Sequence, residues 1–103
     1  HGTPNAMFLP PVVRFNAQAP SVQKERRMDR MAHAMGLKSG EAIPDAIREM
    51  NARLGLASGL AALGVERSQY DATIRGALAD HCHKTNPREA TPEDYVRMLD
   101  ESM

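Results

Sequence analysis

The sequence predicts an all-α fold, a single bundle of five or six helices in 103 residues. Three observations carry that expectation. Apolar side chains recur at spacings of three and four, the period of one helix face. Residues that start helices (Thr or Ser before Pro or an acid) and residues that stop them (Gly) bracket those segments. No stretch alternates apolar and polar residues for long enough to make a half-buried strand.

The first helix spans residues 4–16. Thr3 serves as its N-cap and Pro4 as its first residue, where no N–H is needed. His1 then stands in a loop at the helix mouth, within reach of a ligand. Pro10-Pro11 withdraws two N–H donors, which predicts a kink or a break. Val12, Val13 and Phe15 follow as an apolar patch ending at Asn16. After a connector over 17–20, Ser21 caps a second helix over 22–35. Met28, Met31, Ala32 and Met35 form its apolar stripe, and Glu25, Arg26, Arg27, Asp29 and Arg30 its wet side. Gly36 stops it.

A turn over 38–40 leads to a third helix from Glu41 to Leu54. Pro44 is tolerated there only in the first turn. Ile43, Ile47, Met50 and Leu54 line one face, and Gly55 ends it. Residues 58–63 make a short helix stopped by Gly64. A fifth helix over 67–83 places Tyr70, Ile74, Ala77, Leu78 and His81 on one side. Asn86-Pro87-Arg88 is a turn. Thr91-Pro92-Glu93-Asp94 then combines a cap, a Pro at the first position and an acid at the third, in the manner of a capping box. The last helix carries Tyr95, Met98 and Leu99.

The totals restrict function. Thirteen basic and thirteen acidic side chains balance, so nucleic acid and anionic membrane surfaces, which attract a basic excess, are not expected partners. No apolar run approaches the roughly 20 residues that span a bilayer. A single Cys excludes an internal disulfide framework and fits a reducing compartment, so the expected location is the cytoplasm. Without a start Met, the chain is expected to be a processed or truncated piece of a longer one.

Four side chains or clusters invite a chemical reading. His1 is a candidate metal ligand, although one imidazole does not hold an ion alone. In His81-Cys82-His83, neighbours on a helix point about 100° apart, so the three do not converge on one ion. His81 centres on the apolar stripe and reads as a packed neutral His, while His83 faces away. Cys82 lies at the edge of the stripe; a nucleophilic role requires an activating base and a lowered pKa. His33 reads as a surface or half-buried residue, and Met28, Met31 and Met35 as adaptable core. Phosphate-cradling glycine loops and dinucleotide fingerprints are absent.

Taken in order, these segments resemble a known family. HGTPNAMFLPPVVRFN is similar to HGxxNAxLLPxVxxFN of the iron-containing (group III) alcohol dehydrogenases. MAHAMG, LGLASGLAALGV and ALADHCHKTNPREATPEDYVRML resemble the collinear patterns that follow in that family. The resemblance covers the whole chain and implies the C-terminal helical domain of a dehydroquinate-synthase-like fold, roughly a quarter of a usual chain.

In such enzymes one Asp and three His hold iron, or sometimes zinc, between a dinucleotide domain and the helical domain. By this resemblance His1 is the last of those ligands, and the other three lie upstream. Cys82 becomes a candidate wall of the substrate pocket. The cofactors of the whole enzyme are then Fe2+ or Zn2+ and NAD(P), with neither bound tightly by these residues alone. Its partners are the missing N-terminal dinucleotide-binding domain, a small alcohol or aldehyde, and further copies in a homo-oligomer. The rival expectation is a self-standing helical interaction module without catalysis, which would leave no apolar patch exposed.

Overall fold

Three small apolar clusters make up the core, and one helix reaches all of them. The computed structural model describes residues 2–103. Helix α1 (Gly2–Asn16) supplies Met7 to a cluster with Leu60, Tyr70, Ile74 and Leu99. Its Phe15 joins Ala90 and Met98 in a second, and its Val13 packs on Ala32, Ile43 and Ile47 in a third. The remaining helices are α2 (Pro20–Lys24), α3 (Arg27–Ala34), α4 (Ile43–Arg53), α5 (Tyr70–Ala79), α6 (His81–Thr85) and α7 (Pro92–Ser102). No strand occurs among the described residues. The all-α class is as the sequence predicts; the described residues form seven α-helices because two predicted helices are each divided. The chain forms a slab of 38 × 32 × 19 Å.

The expected break at Pro10-Pro11 does not occur, and α1 is continuous through both prolines. A proline at position 10 leaves the carbonyl of Ala6, four residues back, without its helical donor. Asn51 on α4 supplies the missing hydrogen: its side-chain Nδ2 donates to the Ala6 carbonyl at 2.9 Å. Both proline rings are fully buried, so their apolar area further offsets the cost of the lost backbone bond. The helix also begins at Gly2, so Thr3 lies inside the first turn rather than capping it.

The predicted helix over 22–35 starts earlier, with Pro20 at its first position, and is divided at Arg26. Arg26 is left-handed (φ 52°, ψ 41°), an uncommon state for a residue with a Cβ. Its guanidinium is tied to Asp29 Oδ2 at 3.1 Å. The other oxygen of Asp29 accepts from the Gly40 N–H at 2.8 Å, anchoring the 3-10 turn Gly40–Ala42 that leads into α4. These bonds, with the Gly40 N–H foremost, hold the Asp29 carboxyl below its usual pKa. Gly40 is required for the close approach: a Cβ there would lie 2.6 Å from that of Met28.

The apolar faces of α3 and α4 are narrower than predicted. Ala32, Ile43 and Ile47 are buried and Met28 half-buried, but Met31, Met35, Met50 and Leu54 are exposed. On α4 the inward row is Ile43, Ile47, Asn51, a strict spacing of four that rotates Met50 and Leu54 to the rim. The short helix predicted over 58–63 is a 3-10 turn, Leu60–Leu63, and Gly64 closes it in the left-handed conformation (φ 88°).

Helix α7 follows its predicted start. Thr91 Oγ1 accepts from the Asp94 N–H at 3.1 Å, and Asp94 Oδ2 accepts from the Thr91 N–H at 2.9 Å. Asp94 is buried and also pairs with Arg97.

Candidate functional site

The predicted helix over 67–83 ends at Ala79. Asp80 is extended (φ −74°, ψ 141°), and its Oδ1 accepts from the Cys82 N–H at 2.8 Å. An aspartate that bonds a backbone N–H two residues on competes with helix continuation and starts a new helix instead. That restart sets the geometry of α6, and it overturns two expectations. The His81 side chain is 90% exposed rather than packed in the core. His83 turns inward rather than away: it is half-buried, with Nδ1 2.7 Å from the Tyr95 hydroxyl.

Phe8, Val12 and Phe15 of α1, Gly76 and Ala77 of α5, Cys82 and His83 of α6, and Tyr95 and Met98 of α7 border a concavity of about 540 Å³. Its lining is largely apolar, with Asn5, Asp80, His83 and Asn86 as polar members. Burial, reinforced by the charge of Asp80, holds the Tyr95 phenol above its ordinary pKa, so it keeps its proton at neutral pH. Cys82 is exposed, and its Sγ lies 3.5 Å from His81 Nε2. Hydrogen bonding to Asp80, and then the charge of that carboxylate, push the Cys82 thiol up rather than down. The thiol is thus the wrong species for a nucleophile.

The turn Asn86-Pro87-Arg88 fixes the far end of α1. Asn16 and Asn86 exchange two side-chain bonds, at 3.1 and 2.7 Å. Arg88 donates from Nη1 to the Phe15 carbonyl at 3.2 Å, and its guanidinium lies over the Phe15 ring at 4.1 Å. The last carbonyls of a helix lack helical donors and carry its negative end, so a guanidinium there is doubly favourable. The walls contributed by α1 and α7 are in this way held together at one end.

His1 lies outside the described residues. Cys82 and His83 come together at one concavity, and His33 is remote from it, exposed on α3. Sequence reasoning missed the His83–Tyr95 pair. The available signal was Asp80: read as a cap, it turns the next three residues by a new helix start.

The description "Fe-containing alcohol dehydrogenase family, C-terminal" matches residues 1–103. The chain belongs to that family. It is 52% identical to a 4-hydroxybutyrate dehydrogenase of Cupriavidus necator over its whole length, which is 27% of the relative. It is 35% identical to the lactaldehyde reductase of Escherichia coli over 95% of the chain and 27% of that protein. Against a 1-propanol dehydrogenase of Salmonella typhimurium it is 36% identical, over 98% of the chain and 30% of the relative. The chain therefore spans less than a third of the curated relatives it matches. No solved structure gives a significant match. Within the iron-containing alcohol dehydrogenase family this chain corresponds to the C-terminal helical part, and no helix among its described residues is long and apolar enough to cross a membrane.

Proposed function

We propose that the whole protein to which this chain belongs is a metal-dependent, NAD(P)-linked dehydrogenase that interconverts a small alcohol and its aldehyde. The observation that carries this reading is the family match over the entire chain, together with relatives named for alcohol or aldehyde substrates. The 52% identity with a 4-hydroxybutyrate dehydrogenase makes a short ω-hydroxy acid the first substrate to test.

His1 is the one residue of this chain assigned to the metal, and one imidazole is too few for tight binding of iron or zinc. When bound by the complete ligand set, such an ion polarises the substrate oxygen, and the nicotinamide carries the hydride. The work of this chain is placement. Helix α1 starts directly after His1, and the Asn86–Arg88 turn pins its other end. Phe8, Val12 and Phe15 offer an apolar wall to the alkyl part of the substrate, with Cys82 in the same lining. Tyr95 remains protonated, and its hydroxyl shares a 2.7 Å hydrogen bond with His83 Nδ1 that holds the ring in place.

The partner expectations fit the surface. Leu9, Met31, Met35, Met50, Leu54 and Leu63 are all more than 40% exposed. Such side chains are available for burial against the N-terminal dinucleotide domain and against further copies.

The test compares the protein carrying its upstream sequence with the 103-residue chain. The longer protein, loaded with Fe2+ or Zn2+, reduces NAD or NADP when given an alcohol, and the shorter chain does not. His1→Ala in the longer protein lowers bound metal at least about tenfold, with the rate falling in step. Full metal content and rate in that variant would remove His1 from the ligand set. Turnover by the 103 residues alone would overturn the division of labour.

A further inference from the structure

Asp80, His81 and Cys82 meet where α5 ends and α6 begins. Three consecutive residues within a helix point in divergent directions. The extended backbone at Asp80 frees that residue from the restriction. His81 faces both neighbours: its Nδ1 lies 3.6 Å from Asp80 Oδ1 and its Nε2 3.5 Å from Cys82 Sγ, and only one of the two nitrogens can serve as a ligand to a given ion. One ligand atom from each residue falls within 4.8 Å of the other two. Tetrahedral zinc ligands, at about 2.0–2.3 Å from the ion, stand roughly 3.3–3.7 Å from one another. Binding therefore requires the three exposed side chains to rotate inward by about 1 Å.

We propose that Asp80, His81 and Cys82 form a zinc-binding site that does not use His1. A carboxylate, an imidazole and a thiolate are the donors that zinc accepts, and the sulfur disfavours magnesium and calcium. Three protein ligands leave the fourth position to water or an external donor. The Asp80 carboxylate is already oriented by the Cys82 N–H, which reduces the ordering needed on binding. Zinc enters without opening the fold, because all three residues are exposed. On binding, the Cys82 Sγ–H bond breaks, its proton passes to solvent and the thiolate becomes the ligand. Asp80 and Cys82 also border the concavity, so the ion stands at its rim.

The experiment is a titration of the reduced 103-residue chain with Co2+ as a spectroscopic probe, followed by Zn2+. One equivalent of Co2+ produces the near-ultraviolet thiolate-to-cobalt absorption, and Zn2+ displaces it. Cys82→Ser abolishes the band. His81→Ala and Asp80→Asn each weaken binding at least about tenfold, the Asn retaining the oxygen that caps α6. Circular dichroism establishes that the variants remain folded, and His1→Ala binds like the parent. The proposal is overturned by absence of the band in the parent chain. It is equally overturned by undiminished affinity in His81→Ala and Asp80→Asn, or by loss of binding in His1→Ala.

Discussion

Replacing Asn51 by Leu separates two explanations of how α1 survives its prolines. If the rings are simply well packed, a near-isosteric apolar residue at position 51 costs little. If the Asn51 amide stands in for the missing N–H of Pro10, its removal leaves the Ala6 carbonyl without a partner. An unpaired buried acceptor costs about 1–3 kcal/mol. Ala6 is only half-buried, so water recovers part of that and about 1–2 kcal/mol is expected. In a domain of this size that lowers Tm by roughly 4–16 °C. Pro10→Ala supplies an N–H at position 10 and gives the Ala6 carbonyl its helical partner back. Asn51→Leu should then cost about 1 kcal/mol less in the Pro10→Ala background than in the parent. Urea unfolding of the four proteins of this cycle, followed by circular dichroism, measures the difference. Equal costs in both backgrounds would refute the role assigned to Asn51.

The clasp at the other end of α1 is tested by Arg88→Ala, which removes the bond to the Phe15 carbonyl and the contact with its ring. A loss of about 1–3 kcal/mol is expected in denaturant unfolding, and Arg88→Lys restores only part of it, because an ammonium lacks the planar fork. Asp94 sets an acid limit on stability. The Thr91 N–H, with smaller contributions from the Thr91 hydroxyl and Arg97, holds its carboxyl below the ordinary value. As pH falls, the unfolded chain therefore takes up this proton first. The stabilisation is complete above the unfolded carboxylate pKa of about 3.9 and is lost as pH drops through the lower, folded value. Asp94→Asn should flatten that part of the stability–pH curve, measured by thermal unfolding across acidic buffers.

Much of the fold was legible because its signals are local. The Thr91–Asp94 box and the Gly64 stop act within one turn, and the structure keeps both. The prolines of α1 misled because their remedy comes from Asn51, 45 residues away from the carbonyl it serves. The division at Arg26 had no glycine to announce it; the supporting bond from Asp29 reaches Gly40, outside the helix being read. At the candidate site the residue types were visible but their directions were not. Treating 67–83 as one helix placed His81 inward and His83 outward, and the restart at Asp80 reversed both. His1 was legible only through the family pattern, since nothing in its own neighbourhood distinguishes a ligand from an end residue.

The sharing of all three core clusters by α1 has a consequence for how the chain acquires its structure. Synthesis delivers α1 before α7, yet two of its clusters draw on Leu99 and Met98 of α7. The Asn16–Asn86 and Phe15–Arg88 bonds span 70 and 73 residues. Contacts so distant along the chain must wait for loop closure, which slows folding. While the ribosome is still adding α7, Met7, Phe8 and Phe15 have no permanent cover. The nascent chain passes through a window in which the apolar face of α1 lacks its α7 partners, and the arrival of α7 ends that exposure.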